Sequence, residues 1–203
     1  MNLRKIFQSI IALHQEEIPM SLYERALQLP INEQNIVTVT GVRRCGKSSL
    51  MGLTINRLLA AGVAKEQILY VAFDDERLSE MQVSDCDEIL QAYREMYPDR
   101  PLKEVYMFFD EIQLVEGWEL LVLRTFKSYC KNIYVTGCTA QMLSGEMSSA
   151  LRGWPDEYRT FPLGFNEYLA FKQVHANRFT EDGAALLAHS FNCLLYTSDA
   201  ADE

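Results

Sequence analysis

Cysteine is scarce in this sequence, and its spacing fits neither a zinc site nor a disulfide framework. The 203 residues include five cysteines at irregular intervals, and no CxxC pair occurs. Zinc-binding and disulfide-rich domains use closely and regularly spaced cysteines. Both classes are therefore disfavoured, and we expect free thiols in a reducing compartment at Cys45, Cys86, Cys130, Cys138 and Cys193.

Long apolar runs are also missing. No run reaches the roughly 18 apolar residues that span a bilayer. The N-terminal stretch MNLRKIFQSIIALHQEE lacks the small-residue cleavage pattern of a signal peptide. Its apolar residues instead recur on one face of a helix. The sequence therefore predicts a cytoplasmic protein with no membrane partner.

Positive charge is in deficit. The chain has 19 Lys and Arg against 28 Asp and Glu, which gives a net charge of −9. Broad, nonspecific binding of nucleic acid needs a basic surface, so this balance disfavours it. A local basic site is still compatible with the composition.

No internal repeat or low-complexity segment interrupts an alternation of strand-like and helix-like segments. Strands are predicted at 35–40, 67–73, 105–110, 132–137 and, as a possible fifth, 158–163. Helices are predicted at 2–16, 21–29, after Gly46, at 85–97, after Trp118, around 140–150 and from Phe165. Apolar strands that alternate with helices indicate an α/β fold with a parallel sheet covered on both faces. Right-handed crossovers then bring the carboxyl ends of the strands to one edge.

The segment GVRRCGKS, residues 41–48, fits the pattern G-x-x-x-x-G-K-[ST]. It follows a predicted strand and precedes a predicted helix, as that pattern requires. Gly41 allows a tight turn, and Gly46 lets the backbone approach a phosphate. Loop N–H groups and the helix N-terminus attract anions. The motif predicts a phosphate-binding loop formed by Gly41, Val42, Arg43, Arg44, Cys45, Gly46, Lys47, Ser48 and Ser49.

Individual roles within this loop follow from its chemistry. Lys47 is expected to reach the β- and γ-phosphates as a catalytic residue, and Ser48 to ligate Mg²⁺. Arg43 and Arg44 either flank the phosphates or are solvated loop charges. Cys45 is either a reactive thiol, since a helix N-terminus lowers thiol pKa values, or a passive filler.

Two acids end the third predicted strand, in VYMFFDE at residues 105–111. Asp110 fits the carboxylate that holds Mg²⁺ through water, and Glu111 fits the catalytic base that orients and deprotonates the attacking water. The alternative is a structural acid pair that closes a strand. No N-K-x-D motif occurs, so ATP is favoured over GTP.

Further polar residues end two other predicted strands. Thr136 ends the fourth strand and either senses the γ-phosphate as a catalytic residue or makes a strand-end hydrogen bond. Asp74 and Asp75 follow the second strand and either help to position Mg²⁺ or a partner, or cap a helix.

Together these motifs resemble the AAA-type P-loop ATPases of bacteria and archaea, in the group whose ATPase module precedes a C-terminal domain of unknown function. The segments that carry the resemblance are GVRRCGKSSL, YVAFDDERL, YMFFDEIQ, VTGCTAQML and FPLGFNEYLAF, within about residues 30–172. Cys138 and Thr139 stand where that group often has serine. Trp154 follows Gly153 where the group often has arginine, and Arg152 could substitute.

The resemblance implies a P-loop NTPase three-layer sandwich with sheet order 5-1-4-3-2, and ATP and Mg²⁺ as cofactors. The predicted domains are an N-terminal helical segment at 1–30, read from the residue pattern, the ATPase domain at 31–172 and the start of a truncated C-terminal region at 173–192. Residues 193–203, CLLYTSDAADE, resemble the translated read-through of a sequencing adapter. We interpret them as an artefact and expect the natural chain to continue differently.

Three functions remain open at this stage. The first is an ATPase that drives a conformational change in a C-terminal domain or a partner, as a homo-oligomer or with an unknown protein or nucleic acid. The second is a slow ATP-dependent switch with little turnover. The third, a small-molecule kinase, is disfavoured because no arginine-rich lid is evident.

Overall fold

A parallel five-stranded sheet forms the centre of the fold in the computed structural model. The structure describes residues 2–138, 151, 153–176 and 179–199, with side chains up to residue 194. The strands lie in the order β2-β3-β4-β1-β5, and each neighbouring pair is parallel. This confirms the predicted order 5-1-4-3-2. The strands are β1 (Ile36–Gly41), β2 (Ile68–Ala72), β3 (Tyr106–Asp110), β4 (Ile133–Cys138) and β5 (Pro155–Arg159).

Helices follow the strands along the chain, as the alternating pattern predicts. They are α1 (Leu3–Glu17), α2 (Lys47–Ala60), α3 (Asp87–Met96), α4 (Trp118–Ser128), α5 (Phe165–Phe171) and α6 (Glu181–Asp199). Short 3₁₀ turns lie at Lys65–Gln67, Glu76–Leu78, Val83–Cys86, Leu102–Glu104 and Ile112–Leu114. Among the helices described, none is both long and apolar enough to cross a bilayer.

The sheet buries both of its faces. Met107 and Phe109 of β3 lie in one apolar cluster with residues of α1, α3 and α4. Phe108, between them, lies in a second cluster with residues of α2. Successive side chains of a strand point to opposite faces, so one apolar strand supplies two cores. The result is three layers, with α1, α3 and α4 on one side of the sheet and α2 on the other.

The predicted helix at 21–29 is wrong. Residues 18–35, called the strap below, contain no helix and run over the surface of the domain. Backbone groups of the strap find partners elsewhere: Met20 exchanges two hydrogen bonds with the Asn56 side chain, and the Leu29 carbonyl accepts one from Arg57. Tertiary partners thus override a local helical preference, which is only a weak determinant.

The fifth strand begins earlier than predicted and is more polar. A possible strand was predicted at 158–163, but β5 spans Pro155–Arg159 and ends four residues before that segment does. It is an edge strand, where proline and charged residues are tolerated. Its Glu157 accepts a hydrogen bond of 2.6 Å from Thr40 of β1. The predicted helix around 140–150 lies outside the described residues.

Candidate nucleotide-binding site

The loop between β1 and α2 has the backbone of an anion site. Arg44 and Gly46 both have left-handed backbones, with φ of 62° and 92°. Alternation of right- and left-handed residues turns successive N–H groups towards one concave point. Gly41 must be small, because a Cβ there would lie 2.6 Å from Cys45 Sγ and from the carbonyl oxygen of Thr160. The glycines of the motif are therefore explained by turn geometry and by crowding.

Lys47, the first residue of α2, is buried, with only 4% of its surface exposed. Its Nζ lies 3.3 Å from the carbonyl oxygen of Val42 and 3.2 Å from Oε1 of Glu111. A buried ammonium group is costly unless it is paired, and these two oxygens pair it. The lysine of the loop and the acidic end of β3 are thus brought together at one edge of the sheet.

The remaining loop residues differ in exposure. Ser48 lies exposed in the first turn of α2, and Ser49 is half-buried. Arg43 and Arg44 are exposed, as solvated loop charges would be. Their contact with phosphates, like that of the exposed Val42, stays a prediction.

Cys45 is a buried residue of the loop. Only 3% of its surface is exposed, and burial raises the pKa of its thiol, although the nearby Lys47 acts in the opposite direction. A raised pKa leaves little thiolate, which is the reactive form. The structure thus favours the passive filler over the reactive thiol.

Asp110, at the end of β3, is held by two hydroxyl groups. Tyr70 of β2 donates a hydrogen bond of 2.6 Å to Oδ2, and Thr136 of β4 donates one to Oδ1. Asp110 is 4% exposed. Burial, and then the charge of Asp110, raise the pKa of Tyr70 and keep its proton available for donation. The sequence analysis missed Tyr70, whose only signal was a hydroxyl group in the middle of an apolar strand.

Glu111 has an unusual backbone. Its φ and ψ are 50° and 39°, a left-handed conformation that costs a non-glycine residue of order 1 kcal/mol or more. Its N–H donates to Thr136 Oγ1 at 2.9 Å, and Gln113 donates to its Oε2 at 2.6 Å. The Thr136 hydroxyl therefore joins the two acids, since it also donates to Asp110. Of the two alternatives given for Thr136, the structure shows the strand-end hydrogen bond. Contact between Thr136 and a γ-phosphate stays a prediction.

Asp74 and Asp75 have different roles. Asp75 caps the turn Glu76–Leu78 by accepting a hydrogen bond from the N–H of Arg77, which confirms the capping alternative for this residue. The pKa of Asp74 is raised, first by desolvation and then by the charge of Asp110. Asp74 therefore belongs to the acidic edge at which β2 and β3 end.

The donor set at this edge fits Mg²⁺. The Ser48 hydroxyl and the Asp110 carboxylate are hard oxygen donors, which Mg²⁺ prefers together with water and phosphate oxygens. Thr139 and Arg152, which the sequence analysis compared with the AAA-type group, lie outside the described residues.

His14 of α1 packs behind the acidic edge. Its ring stacks on that of Tyr70, with centroids 4.0 Å apart, and neither ring nitrogen has a hydrogen-bond partner within the described chain. Burial lowers its pKa from 6.5 to about 4, against the opposing charge of Asp110. His14 is therefore neutral near pH 7.

Replacement of His14 tests this packing through the pH dependence of stability. Below pH 6.5 the unfolded chain binds a proton that the folded chain rejects, so stability is lost as pH falls from 6.5 towards 4. Between pH 7.5 and pH 5, the free energy of unfolding in urea should drop by about 2 kcal/mol more in the wild type than in His14→Phe. The exposed His175→Asn is the control and should behave like the wild type. If the free energy of unfolding depended equally on pH in all three proteins, His14 would not be buried in its neutral form.

The fold and site define a class of protein. A lysine-bearing loop after β1 faces an Asp-Glu pair at the end of β3, with β4 between the two strands, as in P-loop nucleotide-binding proteins of the ATPase type. The model of the AAA domain family matches residues 33–169. The chain belongs to this family, and the predicted resemblance to AAA-type ATPases is confirmed. A C-terminal domain of unknown function stays a prediction.

Two curated relatives are uncharacterised proteins. One, from Haemophilus influenzae, is 38% identical over 139 residues, which cover 68% of this chain and 34% of the relative. The other, from Methanocaldococcus jannaschii, is 31% identical over 154 residues, which cover 76% of this chain and 32% of the relative. The chain thus spans about a third of the length of these relatives.

Two solved structures can be superposed on parts of this chain. A closed-state reconstruction of Hsp104 with ATPγS and FITC-casein has a TM-score of 0.49 at 12% identity and covers 68% of this chain and 25% of its own. The crystal structure of Cdc6p from Pyrobaculum aerophilum has a TM-score of 0.43 at 12% identity and covers 83% of this chain and 48% of its own.

Proposed function

We propose that this chain binds Mg-ATP between the phosphate loop and the acidic edge, and hydrolyses it. The convergence of Lys47 with Glu111 carries the proposal, because a buried ammonium group beside a strained carboxylate suits a phosphate and an attacking water. Membership in the AAA domain family supports ATP as the nucleotide.

Each residue of the site has a role in this proposal. The loop N–H groups and Lys47 hold the phosphates, and Ser48 and Asp110 hold the metal. Bound Mg²⁺ would neutralise charge on the phosphates. Tyr70 and Thr136 fix the orientation of Asp110, and Glu111 accepts a proton from the attacking water.

Thr136 acts in this proposal by positioning the two acids. In Thr136→Val, which removes only the hydroxyl function, Asp110 and the Glu111 backbone each lose a partner, so hydrolysis should slow about tenfold. The ratio of ATP to ADP affinity should not change, and Thr136→Ser should retain activity. A selective loss of ATP affinity in Thr136→Val would instead support direct sensing of the γ-phosphate.

One observation favours a second candidate, the slow ATP-dependent switch. Both carboxylate oxygens of Glu111 are engaged, one by Lys47 and the other by Gln113. A base held in this way must exchange a partner before it can contact water, which would slow turnover. The chain would then hold ATP and signal through a partner or a second copy of itself.

Calorimetry and phosphate release test the proposal together. Mg-ATP should bind with measurable heat, EDTA should weaken the binding, and phosphate should be released above the buffer rate. Tight binding without release would favour the switch. Well-folded protein that gives no heat with Mg-ATP would refute both candidates.

In the wider proposal, the nucleotide cycle drives a conformational change in a C-terminal domain or in a partner. Oligomerisation, as a homo-oligomer or with an unknown protein or nucleic acid, is part of the same proposal. The length of the relatives is compatible with a further domain, since about two thirds of each lies outside the matched region.

A further inference from the structure

Arg25, in the strap, contacts three separate parts of the fold. Its Nε donates to Glu167 of α5 at 2.9 Å, and its Nη1 donates to the carbonyl oxygen of Cys45 at 3.1 Å. Its Nη2 donates to the carbonyl oxygen of Phe161 at 2.8 Å. One guanidinium group therefore joins the phosphate loop, the segment after β5 and α5. Its planar, forked donors suit such a multiple contact.

The contact with the phosphate loop is close. Arg25 Nη1 lies 2.7 Å from the position of a Cβ on Gly46, so the guanidinium group packs directly against the glycine that precedes Lys47. The turn of the loop also requires a left-handed backbone at Gly46, whose φ is 92°, and glycine adopts this conformation without strain. The strap thus supports the loop immediately before the residue that we propose to bind phosphate.

Glu167 completes the arrangement from the other side. Its carboxylate accepts hydrogen bonds of 2.8 Å from the N–H groups of Ala26 and Gly164, as well as the bond from Arg25. Burial alone would raise its pKa, but these hydrogen bonds outweigh burial and the pKa lies below its ordinary value. The side chains of Arg25 and Glu167 are 9% and 19% exposed, so the pair is largely shielded from water. Pairs of this kind are more strongly coupled than exposed ones.

We propose that Arg25 is a positioning residue that holds the phosphate loop in its nucleotide-binding conformation and connects it to α5 through Glu167. A change in the loop on nucleotide binding would then be transmitted to α5 and the segment that follows it. This inference rests on the proposed function for its nucleotide-dependent part, whereas the support of the loop is measurable without nucleotide.

Arg57 provides a matched control. It also fastens the strap to the domain, by a hydrogen bond of 2.7 Å from its Nη1 to the carbonyl oxygen of Leu29. Among the described residues, Arg57 makes no hydrogen bond or ion pair with the phosphate loop or with α5. Loosening of the strap in general can therefore be separated from loss of the contact with the loop.

The experiment follows the alkylation of Cys45 by iodoacetamide, resolved by peptide mass spectrometry. Cys86, which is buried in another part of the fold, is the internal reference for global unfolding. In Arg25→Ala, loss of the guanidinium charge removes one influence that lowers the pKa of the Cys45 thiol, which by itself would slow alkylation. Exposure of the loop should outweigh this, so alkylation of Cys45 should become about tenfold faster while Cys86 stays unchanged, and Mg-ATP affinity should fall about tenfold. In Arg57→Ala, both quantities should stay within about twofold of the wild type. Arg25→Lys, which retains the charge but not the fork, should give a smaller increase in the same direction.

Two results would overturn the inference. One is unchanged Cys45 alkylation in folded Arg25→Ala, or in Arg25→Lys if the alanine variant does not fold. The other is an equal effect of Arg25→Ala and Arg57→Ala. Wild-type protein that fails to bind Mg-ATP would refute the proposed function alone, because the alkylation rates would still report whether Arg25 supports the loop.

Discussion

The Glu111→Gln variant should hydrolyse ATP about 10²–10⁴-fold more slowly than the wild type, which is the usual effect of losing a general base. Glutamine keeps the size and one acceptor oxygen but cannot accept the proton of the attacking water. Mg-ATP affinity should be retained or rise, because Glu111 pairs with Lys47 and would compete with the phosphates for its ammonium group. Single-turnover phosphate release and calorimetry measure the two quantities separately.

Glu116→Gln makes the same change at an exposed glutamate five positions along the chain and is the matched control. It should leave both hydrolysis and affinity unchanged. Hydrolysis by Glu111→Gln within about threefold of the wild-type rate would show that another group acts as the base. A parallel loss of affinity would indicate instead that Glu111 acts by holding Lys47.

The second large effect is expected at Lys47. Lys47→Ala should weaken Mg-ATP binding about 100-fold or more, since loss of one partner of a shielded charge pair commonly has an effect of this size. The ammonium group is buried, so no solvated cation can replace it, and its loss leaves Glu111 with an unopposed charge near the phosphates. Calorimetry measures the affinity, and thermal unfolding shows whether the variant is folded.

Lys127→Ala is the control for loss of a positive charge. Lys127 is an exposed lysine of α4, which packs on the opposite face of the sheet from α2. Its ATP affinity should equal that of the wild type. A folded Lys47→Ala protein that binds Mg-ATP within about threefold of the wild type would place the phosphates away from this loop.

Local sequence patterns predicted the parts of the site that follow strands. The spacing of Gly41, Gly46 and Lys47 predicts a strand, a turn and a helix N-terminus, and these form as expected. The acids after β3 were predicted because a parallel sheet brings the ends of its strands to one edge. Such inferences succeed when neighbours in sequence determine the geometry.

Contacts between distant residues could not be predicted in this way. Tyr70 and Asp110 are 40 positions apart, and Arg25 and Glu167 are 142 apart. Neither pair has a local pattern, since each depends on how separate elements pack. Residues 21–29 of the strap were predicted as a helix for the same reason, because the backbone partners of the strap lie in α2 and α5. The polar edge strand β5 was misplaced because its partners on β1 make its acidic residues compatible with a strand.

The packing of α1 has a consequence for where the domain begins in this chain. Its buried residues, Ile6, Phe7, Ile10 and Ile11, lie in the same core as β3 and α3, yet the family match begins only at residue 33. The part of this chain that the family model matches is therefore smaller than the part that shares this core. A polypeptide trimmed to the recognised boundaries would leave an apolar surface of α3 and β2 in contact with water, and such surfaces favour self-association.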